Sequence, residues 1–343
     1  MMTFAYRQTM QLHRGAYVST DQYCQRETPE QKIVVFLQSI YFESTSESTD
    51  SMTDQTKIAV VVIIGVGKRE QDEYDSQGIQ PIQDALPQHV TDGVIFELVH
   101  WTDILQSEKE RLRTGYNQAD DKLSYEPLRR FFSGLITDVI AYQPQGEDSY
   151  TYLEIHKRVA KSMDRLAHRA GKAALLVVIA HSLGGVITSN YMRELQDETY
   201  QEGLVPEEIH HLAGDTPLER GETLTQVYTM GTPLALYSVR HQDFDEPMQV
   251  PSPQLTEHYP IDEYGELPSQ WLNFYNRNDV LAYPLAFLND SYAGLVEDHP
   301  VGVGDWQTSW NPFSHMAYWG DEEIVRPIAK GITALYDAVN GSS

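Results

Sequence analysis

Runs of apolar residues recur along the chain, and their length and composition predict buried β-strands. The clearest run, residues 58–64, is almost entirely β-branched, which is typical of a strand covered on both faces. Similar runs predict four further strands, at residues 94–99, 173–180, 224–230 and 271–276. Between the runs, apolar residues return every three or four positions, as they do in amphipathic helices.

The alternation of these elements predicts the fold class. Helices are expected at residues 103–113, 123–142, 152–170 and 322–338, the third of them ended by Gly171. Strands that alternate with helices favour a mostly parallel sheet with helices on both faces, the α/β class. We expect one such domain over residues 58–343.

Residues 1–57 are predicted to be an N-terminal extension of that domain. An apolar stretch at residues 32–42 fits either a strand or the buried face of a helix, because its periodicity does not decide. A stretch rich in Ser and Thr at residues 43–51 predicts a solvated loop. An antiparallel hairpin at the edge of the main sheet is the preferred interpretation.

The amino-acid composition and net charge limit the classes of partner that the protein is expected to bind. The formal net charge of −25 would repel polyanions and anionic membrane surfaces, so no nucleic acid partner is expected. Apolar runs stay shorter than the roughly 18 residues of a spanning helix, so no stable membrane insertion is expected either. Cys24 is the single cysteine, which rules out an internal disulfide. The first residues lack the apolar core of a signal peptide, and a cytoplasmic location is predicted.

The chemistry centres on the end of the strand at residues 173–180. There the sequence reads Ala180-His181-Ser182-Leu183-Gly184-Gly185, followed by the apolar start of a helix. A strand that turns sharply into a helix needs small residues beside the turn, since a Cβ there would strike the neighbouring backbone. This pattern predicts a nucleophile elbow with Ser182 exposed at its apex.

A serine nucleophile needs a base, and the base needs an orienting acid. Asp279 directly follows the strand at residues 271–276, at the sheet edge where the acid is required. Its alternative role is to cap a helix over residues 280–288. His315 lies in a turn before the last helix and is the predicted base. Ser182, Asp279 and His315 therefore follow one another in the order expected for this chemistry.

The remaining histidines fit the role of base less well. His299, beside a glycine-rich loop, is the second candidate, whereas His181 points away from the nucleophile and is expected to pack. His210 and His211 resemble half of a metal site, but no carboxylate or cysteine pattern completes it. We therefore expect neither a metal nor a cofactor.

The turn after the first strand, Gly65-Val66-Gly67, is assigned to the oxyanion hole. It lacks the third glycine of a dinucleotide-binding fingerprint, and Val62 stands where a phosphate-binding loop needs glycine. A tetrahedral oxyanion needs two donors in place. The backbone N–H of Leu183 is predicted to be one, and that of Gly65 or Val66 the other.

Over residues 58–338 the chain resembles the α/β-hydrolase superfamily, of the lipase and esterase type. The motifs that carry the resemblance are the elbow at 180–185, Gly231-Thr232-Pro233-Leu234, Asn276-Arg277-Asn278-Asp279-Val280 and Ser314-His315. Ala180 stands where the family usually has glycine, and Ile64 replaces the usual histidine of the oxyanion turn. The resemblance implies hydrolysis of an ester, thioester or amide.

The predicted function is hydrolysis of carboxylic esters of small molecules through an acyl-enzyme on Ser182. A thioesterase, an amidase, an acyltransferase and a non-catalytic binding protein are the alternatives, and the oligomeric state is left open. The long segment at residues 242–270, with five prolines and several apolar side chains, is expected to form a lid over the site. Its alternative is a loop packed along the sheet edge.

Overall fold

The structure is a computed structural model that describes residues 55–65, 78–117, 136–143, 150–196, 206–239, 244, 246–304, 315 and 317–341. All of them belong to one compact unit, Asp54–Ser343. The hairpin expected before residue 55, much of the helix expected at 123–142, and Val66 lie outside the described residues. These three expectations stay predictions.

Six strands in the described part of the chain form one parallel sheet. They are β1 (Ile58–Ile63), β2 (Val94–Val99), β3 (Leu175–His181), β4 (Leu224–Met230), β5 (Gln270–Tyr275) and β6 (Val296–Pro300). Their order across the sheet is β2-β1-β3-β4-β5-β6, and each neighbouring pair is parallel. The predicted fold class, an α/β-hydrolase fold built on a mostly parallel sheet, is confirmed.

Helices of very different length connect these strands. They are α1 (Gln80–Ala85), α2 (Gln88–Thr91), α3 (Gln106–Asn117), α4 (Tyr150–Ala170), α5 (Leu183–Gln196), α6 (Pro206–Leu212), α7 (Leu234–Ser238), α8 (Leu255–His258), α9 (Ile261–Tyr264), α10 (Asp290–Leu295) and α11 (Glu322–Asn340). Residues 136–141 are also helical. The long helices α4 and α11 differ from their predicted bounds by two residues at most.

The sheet separates two apolar cores. Successive side chains of a strand point to opposite faces, and in β1 Ala59, Val61 and Ile63 pack into one core with α4 and α5. The alternate side chains of β1 enter the other core, where α1 and α11 pack. Because both faces of β1 are covered, its continuous β-branched run is the pattern that a central parallel strand requires.

Strand β6 was not predicted from the sequence. Its residues, Val-Glu-Asp-His-Pro, are mostly polar, because it is the edge strand and pairs only with β5. His299 therefore lies within the sheet, paired with Phe274, and not in a loop as the sequence suggested. The helix expected over residues 280–288 is also absent, since that stretch contains only turns, bends and irregular backbone.

The lid prediction for residues 242–270 is wrong for the part that makes described contacts. The Tyr259 hydroxyl donates to the Ala173 carbonyl over 2.7 Å, and Ser252 N donates to the Leu224 carbonyl over 2.8 Å. Both carbonyls lie at the amino ends of strands, roughly 20 Å from Ser182 given the length of β3. A connection from β4 to a parallel β5 must return to that edge before β5 begins. The segment packs there and contains α8 and α9.

A hydrogen-bonded polar cluster is buried between α4 and α5. The Glu194 carboxylate accepts a hydrogen bond from Tyr152, and its other oxygen lies 3.3 Å from His156 Nδ1. On the far side of the ring, His156 Nε2 lies 2.8 Å from the Tyr142 hydroxyl. A buried carboxylate requires such partners, because its desolvation would otherwise be very costly.

The first and last described segments are tied together. Thr56 N donates to Asn340 Oδ1 over 2.8 Å, and Asn340 Nδ2 donates back to the Thr56 carbonyl over 2.9 Å. Tyr336 adds a hydrogen bond to Gln55 over 2.8 Å. These contacts fix the C-terminal end of α11 beside the start of β1.

Among the described helices, none combines the length and the apolar character needed to cross a lipid bilayer. The prediction of a cytoplasmic location is not tested by that finding.

Candidate active site

Ser182 lies on a sharp turn between β3 and α5. Its φ of 56° is in the left-handed region, which side chains other than glycine rarely adopt. Two hydrogen bonds hold the turn: Ser182 N donates to the Met230 carbonyl and Gly185 N donates to the Ser182 carbonyl, each over 3.0 Å. The turn is the strand–elbow–helix that the sequence predicted.

Glycines are required beside this turn because the backbone approaches it closely. A Cβ at Gly184 would overlap the Ile63 carbonyl at the end of β1. A Cβ at Gly65 would overlap the side chain of Ser182 itself. Each glycine therefore allows β1 and the start of α5 to come together around the serine.

The structure brings Ser182, His315 and Asp279 into one chain of contacts. His315 Nε2 lies 2.7 Å from Ser182 Oγ, and His315 Nδ1 lies 2.8 Å from Asp279 Oδ2. All three side chains are buried, so the expectation that Ser182 is exposed at the apex of the turn is wrong. An ionised carboxylate can only accept, so Nδ1–H donates to Asp279 and Nε2 is left to accept from the serine hydroxyl. That arrangement is the one in which an imidazole can act as a base toward serine.

Asp279 is held by two donors besides His315. The Tyr318 hydroxyl donates to Oδ2 over 2.9 Å, and Leu281 N donates to Oδ1 over 3.0 Å. Tyr318 in turn accepts from Asn276 N over 2.9 Å. Burial raises the pKa of Tyr318, and the charge of Asp279 raises it further, so the hydroxyl remains a proton donor. The carboxylate is thereby fixed in orientation.

The sequence does not mark Tyr318 as a site residue. Three residues after His315, it has the pattern of an ordinary core aromatic, and its hydroxyl contact depends on the fold. The ring packs against Gly231, at which any Cβ would overlap it. Gly231, with a φ of 59°, belongs to the Gly231-Thr232-Pro233-Leu234 motif, whose contact with Tyr318 the sequence does not reveal. The close fit of the two residues explains why glycine follows β4.

His181 forms a hydrogen bond to the backbone of His315, the predicted base. Its Nε2 donates to the His315 carbonyl over 2.9 Å, and the two ring centres are 5.1 Å apart. The side chain is buried and also contacts Tyr318 and Trp319. His181 thus packs, as the sequence suggested, and it packs against His315.

The structure describes part of the predicted oxyanion hole. Leu183 is the first residue of α5, whose N-terminus carries backbone N–H groups with no partner inside the helix. Gly65 lies against Ser182, and the preceding Ile64 carbonyl accepts a 2.7 Å hydrogen bond from the Trp101 indole. The sequence does not mark Trp101, and this bond holds the backbone at Ile64, just beyond the end of β1. The oxyanion role of Leu183, Gly65 and Val66 stays a prediction.

The other histidines do not take part in these contacts. The ring centre of His299 lies 5.5 Å from that of its strand neighbour Phe274. His210 and His211 lie in the last turn of α6. Across the described ranges, no group of three His, Cys, Asp or Glu side chains has the geometry to hold a metal ion.

The order of the strands in the sheet, the elbow at Ser182 and the contacts that join Ser182, His315 and Asp279 together define a protein of the α/β-hydrolase fold. No protein-family model matches the sequence, and no curated protein is similar to it. Among solved structures, the chain is similar to lipase B of Aspergillus fumigatus, with 10% sequence identity and a TM-score of 0.31. The similarity covers 85% of this chain and 65% of that lipase. Such a remote likeness carries no information about the site, whose chemistry follows from its own geometry.

Proposed function

We propose that the protein is a serine hydrolase that cleaves carboxylic esters of small molecules through an acyl-enzyme intermediate. The observation that carries this proposal is the continuous contact from Asp279 through His315 to Ser182. A serine hydroxyl is a weak nucleophile until a base accepts its proton, and this contact supplies both the base and the group that orients it.

In the first half of the reaction, His315 Nε2 accepts the proton of Ser182 while Oγ attacks the ester carbonyl carbon. The negative charge that develops on the carbonyl oxygen is stabilised by backbone N–H groups of Leu183 and of Gly65 or Val66. The tetrahedral intermediate collapses when the imidazolium returns its proton to the alkoxide oxygen. The alcohol leaves, and the acyl group remains on Ser182.

In the second half, water replaces the alcohol. His315 accepts a proton from the water as its oxygen attacks the acyl carbon, and the second tetrahedral intermediate expels Ser182 Oγ. The proton returns to the serine and the carboxylic acid is released. Throughout, Asp279 keeps the ring in one tautomer and stabilises the imidazolium that forms twice per turnover.

Labelling with a fluorophosphonate tests the proposal directly. The wild-type protein should form a covalent phosphonyl adduct on the peptide that holds Ser182, which mass spectrometry locates, and it should hydrolyse p-nitrophenyl esters. Ser182→Ala should lose both properties. Ser269→Ala, a serine at the opposite edge of the sheet, is the matched control and should keep both. An adduct on another residue, or none in the wild type, contradicts the proposal.

Tyr318→Phe is expected to lower kcat about tenfold, with KM changed less than about twofold. The ring is kept but Asp279 loses one donor, and a hydrogen bond to a charged group contributes roughly 1.5–3 kcal/mol. The matched control is Tyr259→Phe, which removes a hydroxyl hydrogen bond at the amino edge of the sheet. Steady-state kinetics with one ester substrate give kcat and KM for both variants. Equal kcat values for the two variants would show that Tyr318 has no positioning role.

A further inference from the structure

A cavity of about 310 Å³ opens at the carboxyl edge of the sheet. Its walls come from three places: residues 136–143, the start of α7, and the turn after Asp279. The lining side chains are Ile136, Val139, Gln143, Pro233, Leu236, Tyr237 and Leu281. Five of these seven are aliphatic, so the surface offered to a ligand is mostly hydrocarbon.

Two walls of the cavity are continuous with the candidate site. Pro233 follows Thr232, which packs against Gly185 in the first turn of α5. Leu281 lies two residues beyond Asp279, and its N–H donates to that carboxylate. The cavity therefore begins within a few residues of both Ser182 and its predicted acid.

The polar groups of the lining already have partners. The Tyr237 hydroxyl donates to the Val139 carbonyl over 3.0 Å, and Gln143 Nε2 donates to the same carbonyl over 2.9 Å. No charged side chain lines the cavity among the described residues. A charged or sugar-like group would lose its hydration here without compensating hydrogen bonds, and such a loss is costly.

We propose that this cavity binds the hydrocarbon chain of the ester substrate, an uncharged chain of roughly six to ten carbons. The inference rests on the proposed function and adds the substrate class. The cavity volume lies at the lower end of the range for small-molecule sites, which excludes a long-chain lipid lying wholly inside it. Leu236 and Ile136 are 46% and 51% exposed, so they form the rim through which the chain enters.

A series of esters tests the chain-length preference. With p-nitrophenyl esters of increasing acyl length, kcat/KM should rise about threefold to fourfold per methylene, as expected for transfer of a methylene out of water. The rise should end near ten carbons. A second series, acetates of alcohols of increasing length, distinguishes a chain on the acyl side from one on the alcohol side. A flat profile in both series overturns the proposal.

Variants at the rim test the location. Leu236→Trp fills the entrance, and Leu236→Asp places a charge there; each should lower the ratio of octanoate to acetate kcat/KM at least tenfold. Ile261 is 55% exposed on α9, at the other edge of the sheet, and provides the matched pair Ile261→Trp and Ile261→Asp. These two should keep the wild-type ratio. If Leu236→Trp does not fold by circular dichroism, Ile136→Trp replaces it. Equal ratios in the Leu236 and Ile261 variants overturn the location.

A binding measurement keeps this inference separate from the proposed function. Calorimetric titration of the Ser182→Ala protein with p-nitrophenyl octanoate should show binding that Leu236→Asp weakens at least tenfold. If that holds while the wild type hydrolyses no ester, the cavity is a hydrocarbon site and the hydrolase proposal fails. If the wild type hydrolyses esters but the Leu236 change leaves octanoate binding unaltered, the cavity proposal fails alone.

Discussion

Asp279→Asn is expected to lower kcat for ester hydrolysis by about four orders of magnitude with the fold retained. A carboxylate accepts hydrogen bonds on both oxygens, and here it accepts from His315, Tyr318 and Leu281 N. An amide has one accepting oxygen. If its NH2 faces His315, the imidazole must accept at Nδ1 and cannot accept from Ser182. If its NH2 faces Leu281, the amide NH2 and the Leu281 N–H are both donors, and no hydrogen bond can form between them.

Either orientation also removes the negative charge that stabilises the imidazolium. The measurement is kcat on a single p-nitrophenyl ester, with circular dichroism to verify folding. Asp262→Asn, on α9 at the amino edge, controls for the loss of one carboxylate elsewhere and should leave kcat unchanged. Turnover within tenfold of the wild type in Asp279→Asn would mean that another acid orients the base.

Alkaline pH is expected to unfold the protein cooperatively, near pH 11. Burial raises the pKa of five tyrosines well above the usual value of about 10: Tyr142, Tyr152, Tyr191, Tyr228 and Tyr318. Above pH 10 the unfolded chain releases these protons and the folded protein keeps them. The stabilisation is therefore complete below pH 10 and is lost as the pH rises.

The loss is steep because the five phenols act together. Each contributes about 1.4 kcal/mol per pH unit between its two pKa values, or roughly 7 kcal/mol per unit in all, against a typical total stability of roughly 5–15 kcal/mol. Far-ultraviolet circular dichroism and tyrosinate absorbance should change in the same narrow interval. Tyr228→Phe, with one buried phenol fewer, should make the transition shallower. Full ionisation of the tyrosines with unchanged circular dichroism would contradict the assignment.

The elements predicted correctly are those whose signal is local. The run at residues 58–64 is apolar on both faces because both faces of β1 are covered, and the elbow around Ser182 needs small residues at fixed positions. The contact of Ser182, Asp279 and His315 was expected since parallel strands end at one edge. Its catalytic use stays a prediction, as does the oxyanion role of Val66, which lies outside the described residues.

The elements that the sequence did not predict depend on position within the fold. Strand β6 is polar because it lies at the edge, so it lacks the apolar run by which β1 and β3 were found. The segment at 242–270 was assigned to the carboxyl edge because β4 ends there, but a parallel connection has to reach both edges. Tyr318 and Trp101 act through hydrogen bonds that join distant parts of the chain, and no local pattern marks such residues.

The paired hydrogen bonds between Thr56 and Asn340 bear on how the protein can be attached to a solid support. They lie beside the amino end of β1, whereas Ser182 follows the carboxyl end of β3, and a strand length of roughly 20 Å separates the two edges. A resin or electrode coupled after Gly341 would therefore hold the molecule by the edge remote from Ser182. The Leu236 rim would then face the bulk solution, and dissolved esters would reach it without crossing the layer of coupled resin.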